Sequence, residues 1–228
     1  VFEKESAITG CYPWRYAWRK SDKILNRYFA LFGVNDPVAW FLGQADRQSY
    51  LSDKYILAGE SQDRGDYFLV EFNQDNLPTV GANGFLIKRE LLLKAQVDEK
   101  HFFHIDVNFD LVKLGFNQYA VVKNDVIHAS GEGFGKFFQK RWRYMSELYL
   151  RDFSQRRYFL FNPSKDKLKI LAYSFYSLTL LGPLIDSLRG YTKKPDLAWF
   201  LHPLVCFLIF WLYFFSVLKN RLSPKTGG

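Results

Sequence analysis

The run from Ala198 to Leu218 constrains the fold of this chain more than any other segment. It carries no charged side chain and consists almost wholly of leucine, phenylalanine, tryptophan, valine and isoleucine, with single histidine, proline and cysteine residues. About 20 such residues are needed for a helix to cross the hydrocarbon core of a bilayer. The run therefore predicts a transmembrane helix close to the carboxyl end of the sequence.

A weaker apolar run precedes it, from Ile170 to Ile185, and contains the pair Gly182-Pro183. Membrane helices tolerate proline and glycine because neighbouring helices satisfy the freed backbone groups, so we expect the two runs to form a transmembrane hairpin. The basic residues around it are Lys165, Lys167 and Lys169 before the first run, Arg189, Lys193 and Lys194 in the loop, and Lys219, Arg221 and Lys225 after the second run. The positive-inside rule then predicts a multi-pass protein of the cell membrane whose two hairpin ends, and whose remaining residues, face the cytosol.

Charge and cysteine usage agree with such a location. The formal net charge of +8 suits a surface of anionic lipid headgroups. Cys11 and Cys206 lie in unlike settings, so no disulfide is expected and a reducing compartment fits. No basic and apolar leader follows Val1, so no signal peptide is predicted, and we expect the chain to be the later portion of a longer protein.

The segment from Phe137 to Phe159 has the pattern of an amphipathic helix. Its apolar positions at helical spacing are Phe138, Trp142, Met145, Tyr149 and Phe153. Such a helix can lie in the plane of the membrane with its rings buried and its cations outward. An ordinary amphipathic helix packed on its own domain is the alternative. Nucleic acid is not expected as a partner, because basic residues directly before a membrane segment are more simply explained by headgroup contact.

The remaining residues predict a mixed α/β region. We expect strands at Tyr67–Phe72, Tyr119–Val122 and Val126–Ile127, the last two joined by a turn at residues 123–125. Helices are predicted from Ser21 to Gly33 and from Lys88 to Gln96, with a loop at Asn35-Asp36-Pro37 between them. No internal repeat divides the region into two units.

A series of short motifs occupies residues 81–142. They are the turn Gly81-Ala82-Asn83-Gly84 leading into Lys88-Arg89-Glu90, the acidic group Ile105-Asp106-Val107-Asn108-Phe109, Gly115 and His128 on either side of the predicted strands, and Gln139-Lys140-Arg141-Trp142. This order resembles the membrane-anchored, inverting family 2 glycosyltransferases of the GT-A fold, over roughly residues 78 to 145. The resemblance implies an α/β fold with part of a GT-A domain in residues 1–135, a basic and aromatic interfacial helix region in 136–167, the transmembrane hairpin in 168–218 and a cytoplasmic tail in 219–228.

The resemblance also implies roles for individual residues. Asp106 is the expected general base, which takes the proton of the acceptor hydroxyl, and Asp110 is the reserve candidate. His128 is expected to be a ligand of a divalent metal, Mg or Mn, whose main ligands lie upstream of this chain. The expected substrate-binding residues are Asn83, Gly84, Gln139, Arg141 and Trp142. The expected partners are a nucleotide-sugar donor, a lipid-linked or glycan acceptor, and the membrane.

Simpler interpretations exist for the same residues. Asp106 is also explained as a capping or surface aspartate, His128 as a hydrogen-bonded histidine, and Arg141 as a headgroup contact. A plain tight turn explains Gly81 and Gly84.

Two departures from the family pattern limit what the chain can do alone. Ile105 stands where the acidic motif of the family has its first carboxylate, and Asn108 replaces a second one. No Asp-x-Asp sequence occurs in the chain, so we expect a C-terminal portion that lacks the donor-binding half. A membrane-anchored binding or assembly subunit without catalysis is the alternative function, and a membrane-tethered nucleic-acid-binding protein is a third and weaker one.

Overall fold

A five-stranded mixed sheet forms the centre of the part of the protein that precedes the apolar carboxyl-terminal helices. The structure is a computed structural model, and it describes residues 1–52, 59–95, 102–130, 133–151, 156–161 and 166–222. The strands are β1 (Gly10–Tyr16), β2 (Glu60–Asp63), β3 (Tyr67–Glu71), β4 (Leu86–Ile87) and β5 (Gln118–Val126). Their order in the sheet is β2-β3-β5-β1-β4, with β1 and β5 parallel and the other neighbours antiparallel.

The sequence predicted strands only at the places of β3 and β5, and β1, β2 and β4 were not predicted. The strand predicted from Tyr67 is confirmed, but the two short strands predicted around residues 123–125 are one continuous strand, β5. Asp125 pairs with Arg15 and Val126 with Tyr16 across the sheet. The local composition of residues 123–125 predicts a turn, because it does not show that β1, far earlier in the sequence, pairs with this part of β5.

The first helices differ from expectation mainly at their ends. The predicted helix ending at Gly33 is confirmed but begins later, as α1 (Ile24–Phe32), and Gly33 closes it with a φ of 71°. The predicted loop at Asn35 to Pro37 contains the N-cap of α2 (Pro37–Phe41), where Asp36 accepts the backbone N–H of Val38 at 2.9 Å.

Two more helices carry the motifs of the middle of the chain. The helix predicted from Lys88 to Gln96 is only the short α3 (Arg89–Leu92), and residue 96 lies outside the described residues. The acidic motif opens α4 (His104–Lys113), where Asp106 and Asp110 lie one turn apart on one face, and both are buried.

The predicted interfacial helix begins earlier than expected, as α5 (Phe134–Arg143), and continues as a π-helix (Tyr144–Arg151). Phe137 is buried and packs on Phe29 of α1 with 5.1 Å between ring centroids. Position 153 of the predicted apolar stripe lies outside the described residues. At least this part of the segment therefore packs on its own protein, and contact with a membrane surface stays a prediction.

The apolar carboxyl-terminal part contains α6 (Lys167–Thr179), α7 (Leu181–Lys193), a 3₁₀ turn (Leu197–Leu201) and α8 (His202–Leu222). Within the described residues, the segment from Leu197 to Leu222 is the one helix long and apolar enough to cross a membrane. The first predicted span is instead divided at Leu180, whose φ is 60°, so that α6 and α7 meet at a bend of 77°. Pro183 in the first turn of α7 lacks a backbone donor, which explains why the helix does not continue straight through this point.

One apolar core joins the two parts of the chain. Buried side chains of α1 and α2 pack with Tyr173 of α6, Trp199 of the 3₁₀ turn, and Val205 and Ile209 of α8. A second core lies under the sheet and α4, and it includes Tyr12, Tyr119 and Tyr158.

Candidate functional site

The carboxylate of Asp106 lies in a buried ion pair. Arg156 donates to its Oδ2 through Nε at 2.9 Å and to its Oδ1 through Nη2 at 3.3 Å, and the backbone N–H of Tyr158 donates to Oδ1 at 2.9 Å. The side chains of Asp106 and Arg156 are 1% and 3% exposed. Both carboxylate oxygens are therefore occupied by partners from one segment, residues 156–158.

That segment is held in place by further contacts around the ion pair. The guanidinium of Arg156 lies over the ring of Phe103 at 4.2 Å, and the hydroxyl of Tyr158 donates to Gln44 at 2.7 Å. Arg157 pairs with Asp110 at 2.7 Å, one turn further along α4. Two consecutive arginines thus meet two carboxylates that lie on one face of a helix.

The predicted turn at Gly81 to Gly84 is held by a buried arginine. Nη2 of Arg47 donates to the carbonyl oxygens of Ala82 at 3.1 Å and Asn83 at 2.9 Å, while Nη1 donates to Asp46 at 2.6 Å. The turn contains three residues with positive φ, at Gly81, Asn83 and Gly84. Arg47 therefore stabilises a backbone shape that glycine and asparagine adopt most readily.

Asn83 connects this turn to the end of β1. Its Nδ2 donates to the hydroxyl of Tyr16 at 2.9 Å, and the ring of Tyr16 lies 4.8 Å from that of His128. Asn83 and Gly84 are exposed and His128 is half-buried, so this group opens to solvent. The structure thus brings together Asn83, Gly84 and His128, three of the residues that the sequence singled out.

The pKa values of the titratable groups around Arg47 are shifted by burial and by neighbouring charges. Burial raises the pKa of Asp46, and the nearby charge of Arg47 opposes the rise. Burial also lowers the pKa of His128, and the charges of Arg47 and Lys140 lower it further. The pKa of Tyr16 is raised by burial and by Asp46. His128 is consequently neutral over a wider pH range than an exposed histidine.

The group lies at the carboxyl ends of two neighbouring parallel strands. Tyr16 ends β1, and His128 follows the end of β5, its parallel neighbour. In open α/β sheets, ligands bind outside the carboxyl ends of parallel strands. We therefore name the set of Tyr16, Arg47, Asn83 and His128 the strand-end cluster.

Gly81 links the strand-end cluster to α4. A Cβ placed on Gly81 would lie 2.8 Å from Nδ2 of Asn108 and 2.9 Å from the side chain of His104. Nδ2 of Asn108 in turn donates to the carbonyl of His104 at 2.7 Å, and its Oδ1 accepts the hydroxyl of Tyr119 at 3.0 Å. The turn therefore packs against the same helical turn of α4 that carries Asp106.

The remaining predicted substrate-binding residues lie on α5. Arg141 donates to Asn35 and, at 3.3 Å, to Asp36, so its guanidinium is engaged at the N-terminus of α2. Gln139 is exposed, and Trp142 is half-buried beneath the ammonium group of Lys219 at 5.8 Å. The charge of Arg141 opposes the rise in the pKa of Tyr16 that burial and Asp46 cause. Arg141 is therefore within electrostatic range of the cluster but is not bonded to it.

The metal role of His128 stays a prediction. Among the described residues, no three histidine, cysteine, aspartate or glutamate side chains lie together as a metal-binding set. A single imidazole does not hold a divalent ion without carboxylate partners. The residues present here therefore do not make a metal site by themselves, and no chemical step is assigned to a metal.

No family model, characterised protein or solved structure matches this chain. The site is therefore described from its own geometry.

Sequence analysis missed Arg156, Arg47 and Tyr16. The first is separated from Asp106 by 50 positions and the second from Asn83 by 36. One signal was present for each arginine. Arg156-Arg157 is a basic pair that the apolar spacing of the segment from Phe137 to Phe159 does not explain. Asp46-Arg47 is a charged pair shortly after the apolar residues of α2.

Proposed function

We propose that this chain is part of a membrane-associated, inverting glycosyltransferase that moves a sugar from a nucleotide diphosphate donor to a lipid-linked or surface-glycan acceptor. The observation that carries the proposal is the packing of the turn at Gly81 against α4. This turn joins the face of α4 that carries His104 and Asn108 to the cluster at the carboxyl ends of two parallel strands, and Asp106 lies in the same turn of α4 on the opposite face. Three residues of the motifs that resemble the family, Asn83, Gly84 and His128, lie around Tyr16, and this supports the proposal.

In the proposed reaction, Asp106 accepts the proton of the acceptor hydroxyl while the hydroxyl oxygen attacks the anomeric carbon. The bond from that carbon to the diphosphate oxygen breaks, and the nucleoside diphosphate leaves with the bonding electrons. General-base catalysis requires hydrogen-bond reach to the attacking hydroxyl. Because both oxygens of Asp106 are occupied here, at least one contact with Arg156 or Tyr158 has to be exchanged for the acceptor.

The strand-end cluster is the proposed site of the sugar hydroxyls. The exposed side-chain amide of Asn83 offers a hydrogen-bonding group, and the half-buried ring of His128 offers a flat face. Charge neutralisation of the leaving diphosphate by Mg or Mn belongs, in this proposal, to the donor-binding half expected upstream.

A second function is favoured by the ion pair itself. A carboxylate with both oxygens bonded and 1% exposed is a typical structural group. A membrane-anchored binding or assembly subunit with the same fold, but without catalysis, would keep this arrangement permanently.

The two functions predict different outcomes in one experiment on the full-length protein. Transfer of radiolabel from a panel of UDP-, GDP- and dTDP-hexoses to membrane lipids and glycans is measured for the wild type and for Asp106→Asn. The asparagine keeps the size of the side chain but cannot accept a proton at neutral pH. An enzyme with Asp106 as base loses transfer by at least about 100-fold, while unfolding curves report whether the fold is retained.

Asp110→Asn is measured in the same assay, because it removes the reserve candidate for the base, the neighbouring buried carboxylate on the same helix face. Transfer by Asp106→Asn at the wild-type rate would exclude Asp106 as base. Absence of transfer from every donor, in a wild-type protein that is folded and membrane-bound, would favour the binding subunit.

A further inference from the structure

Each carboxyl-terminal helix carries a row of exposed apolar side chains at helical spacing. We call these rows together the lipid face. Its exposed members are Leu168, Leu171, Phe175 and Leu178 of α6, Leu181, Leu184, Ile185 and Leu188 of α7, Leu197 and Phe200 of the 3₁₀ turn, and Leu204, Leu208, Phe215, Leu218 and Leu222 of α8. An exposed apolar surface of this extent indicates a membrane or protein contact.

The end of α7 returns to the part of the protein that precedes the apolar carboxyl-terminal helices. The ammonium group of Lys193 donates to the carbonyl of Leu51, and that of Lys194 lies over the ring of Trp18 at 4.3 Å. Two residues later, Asp196 accepts the indole N–H of Trp18 at 2.8 Å. The chain is therefore attached to the β1 side of the protein immediately after α7.

The start of α6 lies on the same part of the protein. Leu160 packs against both apolar cores. Lys167, the first residue of α6, follows seven residues later and therefore lies at most about 25 Å from Leu160. Tyr173 and Tyr176 of α6 both contact the ring of Phe41 in α2, at 5.3 and 5.0 Å between centroids. The bent pair α6 and α7 thus contacts the protein body both in the middle of α6 and at the end of α7.

The last helix, α8, runs along the folded protein instead of away from it. At its start, a ring nitrogen of His202 hydrogen-bonds to the hydroxyl of Tyr28 in α1 at 3.0 Å. In its middle, Tyr213 donates to Asp36, the N-cap of α2. From His202 to Lys219, α8 rises about 25 Å, which approaches the thickness of a hydrocarbon core of about 30 Å.

This side-by-side packing conflicts with a crossing orientation. Asp36, which Tyr213 contacts, is ion-paired with Arg141 of α5, and the next residue of α5, Trp142, lies beneath the ammonium group of Lys219. If α8 stood upright in a bilayer, this ion pair and the basic helix α5 would lie at the depth of the hydrocarbon core. Charged groups at that depth cost several kcal/mol each, roughly 2.5–3.5 on the scale derived from insertion experiments.

We propose that α6, α7 and α8 lie flat in one leaflet, so that the protein is attached to a single face of an anionic membrane and does not cross it. The exposed Lys167, Lys169, Lys219 and Arg221 border the lipid face, which favours anionic headgroups over a second copy of this positively charged chain. The inference rests on the membrane attachment in the proposed function but not on its chemistry, so failure of sugar transfer leaves it intact.

Sidedness of three engineered cysteines tests this attachment in the full chain. Three single substitutions are made at exposed positions. They are Lys167→Cys at the start of α6, Thr192→Cys near the end of α7 and Asn220→Cys near the end of α8. Sealed inside-out and right-side-out membrane vesicles are treated with an impermeant maleimide. The parent chain, whose own Cys11 and Cys206 are buried, supplies the background.

We expect all three cysteines to react in the same vesicle population. Reaction of Asn220→Cys in the opposite population from Thr192→Cys would show that α8 crosses the bilayer and would overturn the proposal. Reaction of Lys167→Cys opposite Thr192→Cys would overturn it for α6 and α7.

A second measurement identifies what covers the lipid face. Flotation with vesicles of phosphatidylcholine and phosphatidylglycerol is compared for the wild type, Leu171→Glu and the control Leu93→Glu, which adds the same charge at an exposed leucine next to α3. We expect Leu171→Glu to weaken vesicle binding by about tenfold or more, and Leu93→Glu to leave it unchanged. Unchanged binding by Leu171→Glu, or a lipid-independent dimer that only this variant disrupts, would contradict a membrane-covered surface.

Discussion

Arg156 and Asp106 are 50 positions apart in the sequence, yet their side chains form an ion pair with 2.9 Å between Nε and Oδ2. The pair attaches residues 156–158 to the first turn of α4. It therefore decides both the stability of this region and the accessibility of the proposed general base.

Arg156→Gln is expected to destabilise the protein by about 3–5 kcal/mol, because removing one partner leaves the charge of Asp106 buried without compensation. Urea unfolding followed by tryptophan fluorescence in detergent measures the change. Arg157→Gln is the matched control. Its partner Asp110 is less deeply buried and the arginine is 27% exposed, so a loss of only about 1 kcal/mol is expected. Equal losses from the two substitutions would contradict the assignment of the buried pair.

Arg47→Lys is expected to loosen the turn at Asn83. A lysine keeps the positive charge next to Asp46, but its single ammonium group does not reproduce the guanidinium fork that contacts Asp46, Ala82 and Asn83 together. Amide hydrogen exchange at residues 82–84 should become faster, and unfolding should become easier by about 1–3 kcal/mol. Arg64→Lys, at a partly exposed arginine, is the control that should leave both unchanged. Slow exchange retained in Arg47→Lys would show that another contact holds the turn.

Gly81→Ala is expected to be more harmful than Gly65→Ala. Both glycines have positive φ, 126° and 79°, so each substitution introduces backbone strain of about 1–3 kcal/mol. A Cβ at Gly65 meets nothing within 4 Å, whereas one at Gly81 meets His104 and Asn108 of α4 below 3.0 Å. The additional loss in Gly81→Ala, read from the midpoint of urea unfolding, measures the contact between the turn and α4. Similar midpoints for the two variants would indicate that α4 moves aside freely.

Acid should destabilise the folded protein through His104 and His128. Burial lowers the pKa of both from the ordinary value of 6.5, with further lowering by Arg156 at His104 and by Arg47 and Lys140 at His128. Their contribution is therefore fully present above pH 6.5. It is lost as the pH falls below that value, because the unfolded chain then binds more protons than the folded one.

Unfolding free energies measured between pH 8 and about pH 5 test this sign. The double variant His104→Gln/His128→Gln should show a flatter dependence than the wild type. A wild type that becomes more stable as the pH falls through this interval, relative to the double variant, would contradict the neutral state assigned to the two rings.

Local features of the fold were predictable from the sequence alone. The end of α1 at Gly33 depends on a residue that tolerates the left-handed conformation, and the shared face of Asp106 and Asp110 depends on helical periodicity. The apolar run that became α8 is likewise a property of adjacent residues. Such features are determined within a few residues, so local composition contains their cause.

The candidate site itself could be predicted only in part. Asn83 and His128 both contact Tyr16, and this connection depends on the pairing of β1 with β5, which the sequence does not reveal. The bond of Arg141 to Asp36 instead of a substrate depends on the packing of α5 against α2 and α8.

The sequence by itself determined where α1 ends, which carboxyl-terminal run is apolar and where chemically capable side chains occur, because these depend on neighbouring residues. Only the tertiary structure decided that Arg156 neutralises Asp106 and that α8 lies along α1, α2 and α5. Contacts between distant residues depend on the path of the whole chain. Asp106 and Arg156 are far apart in the sequence, and only the fold buries them together as an ion pair.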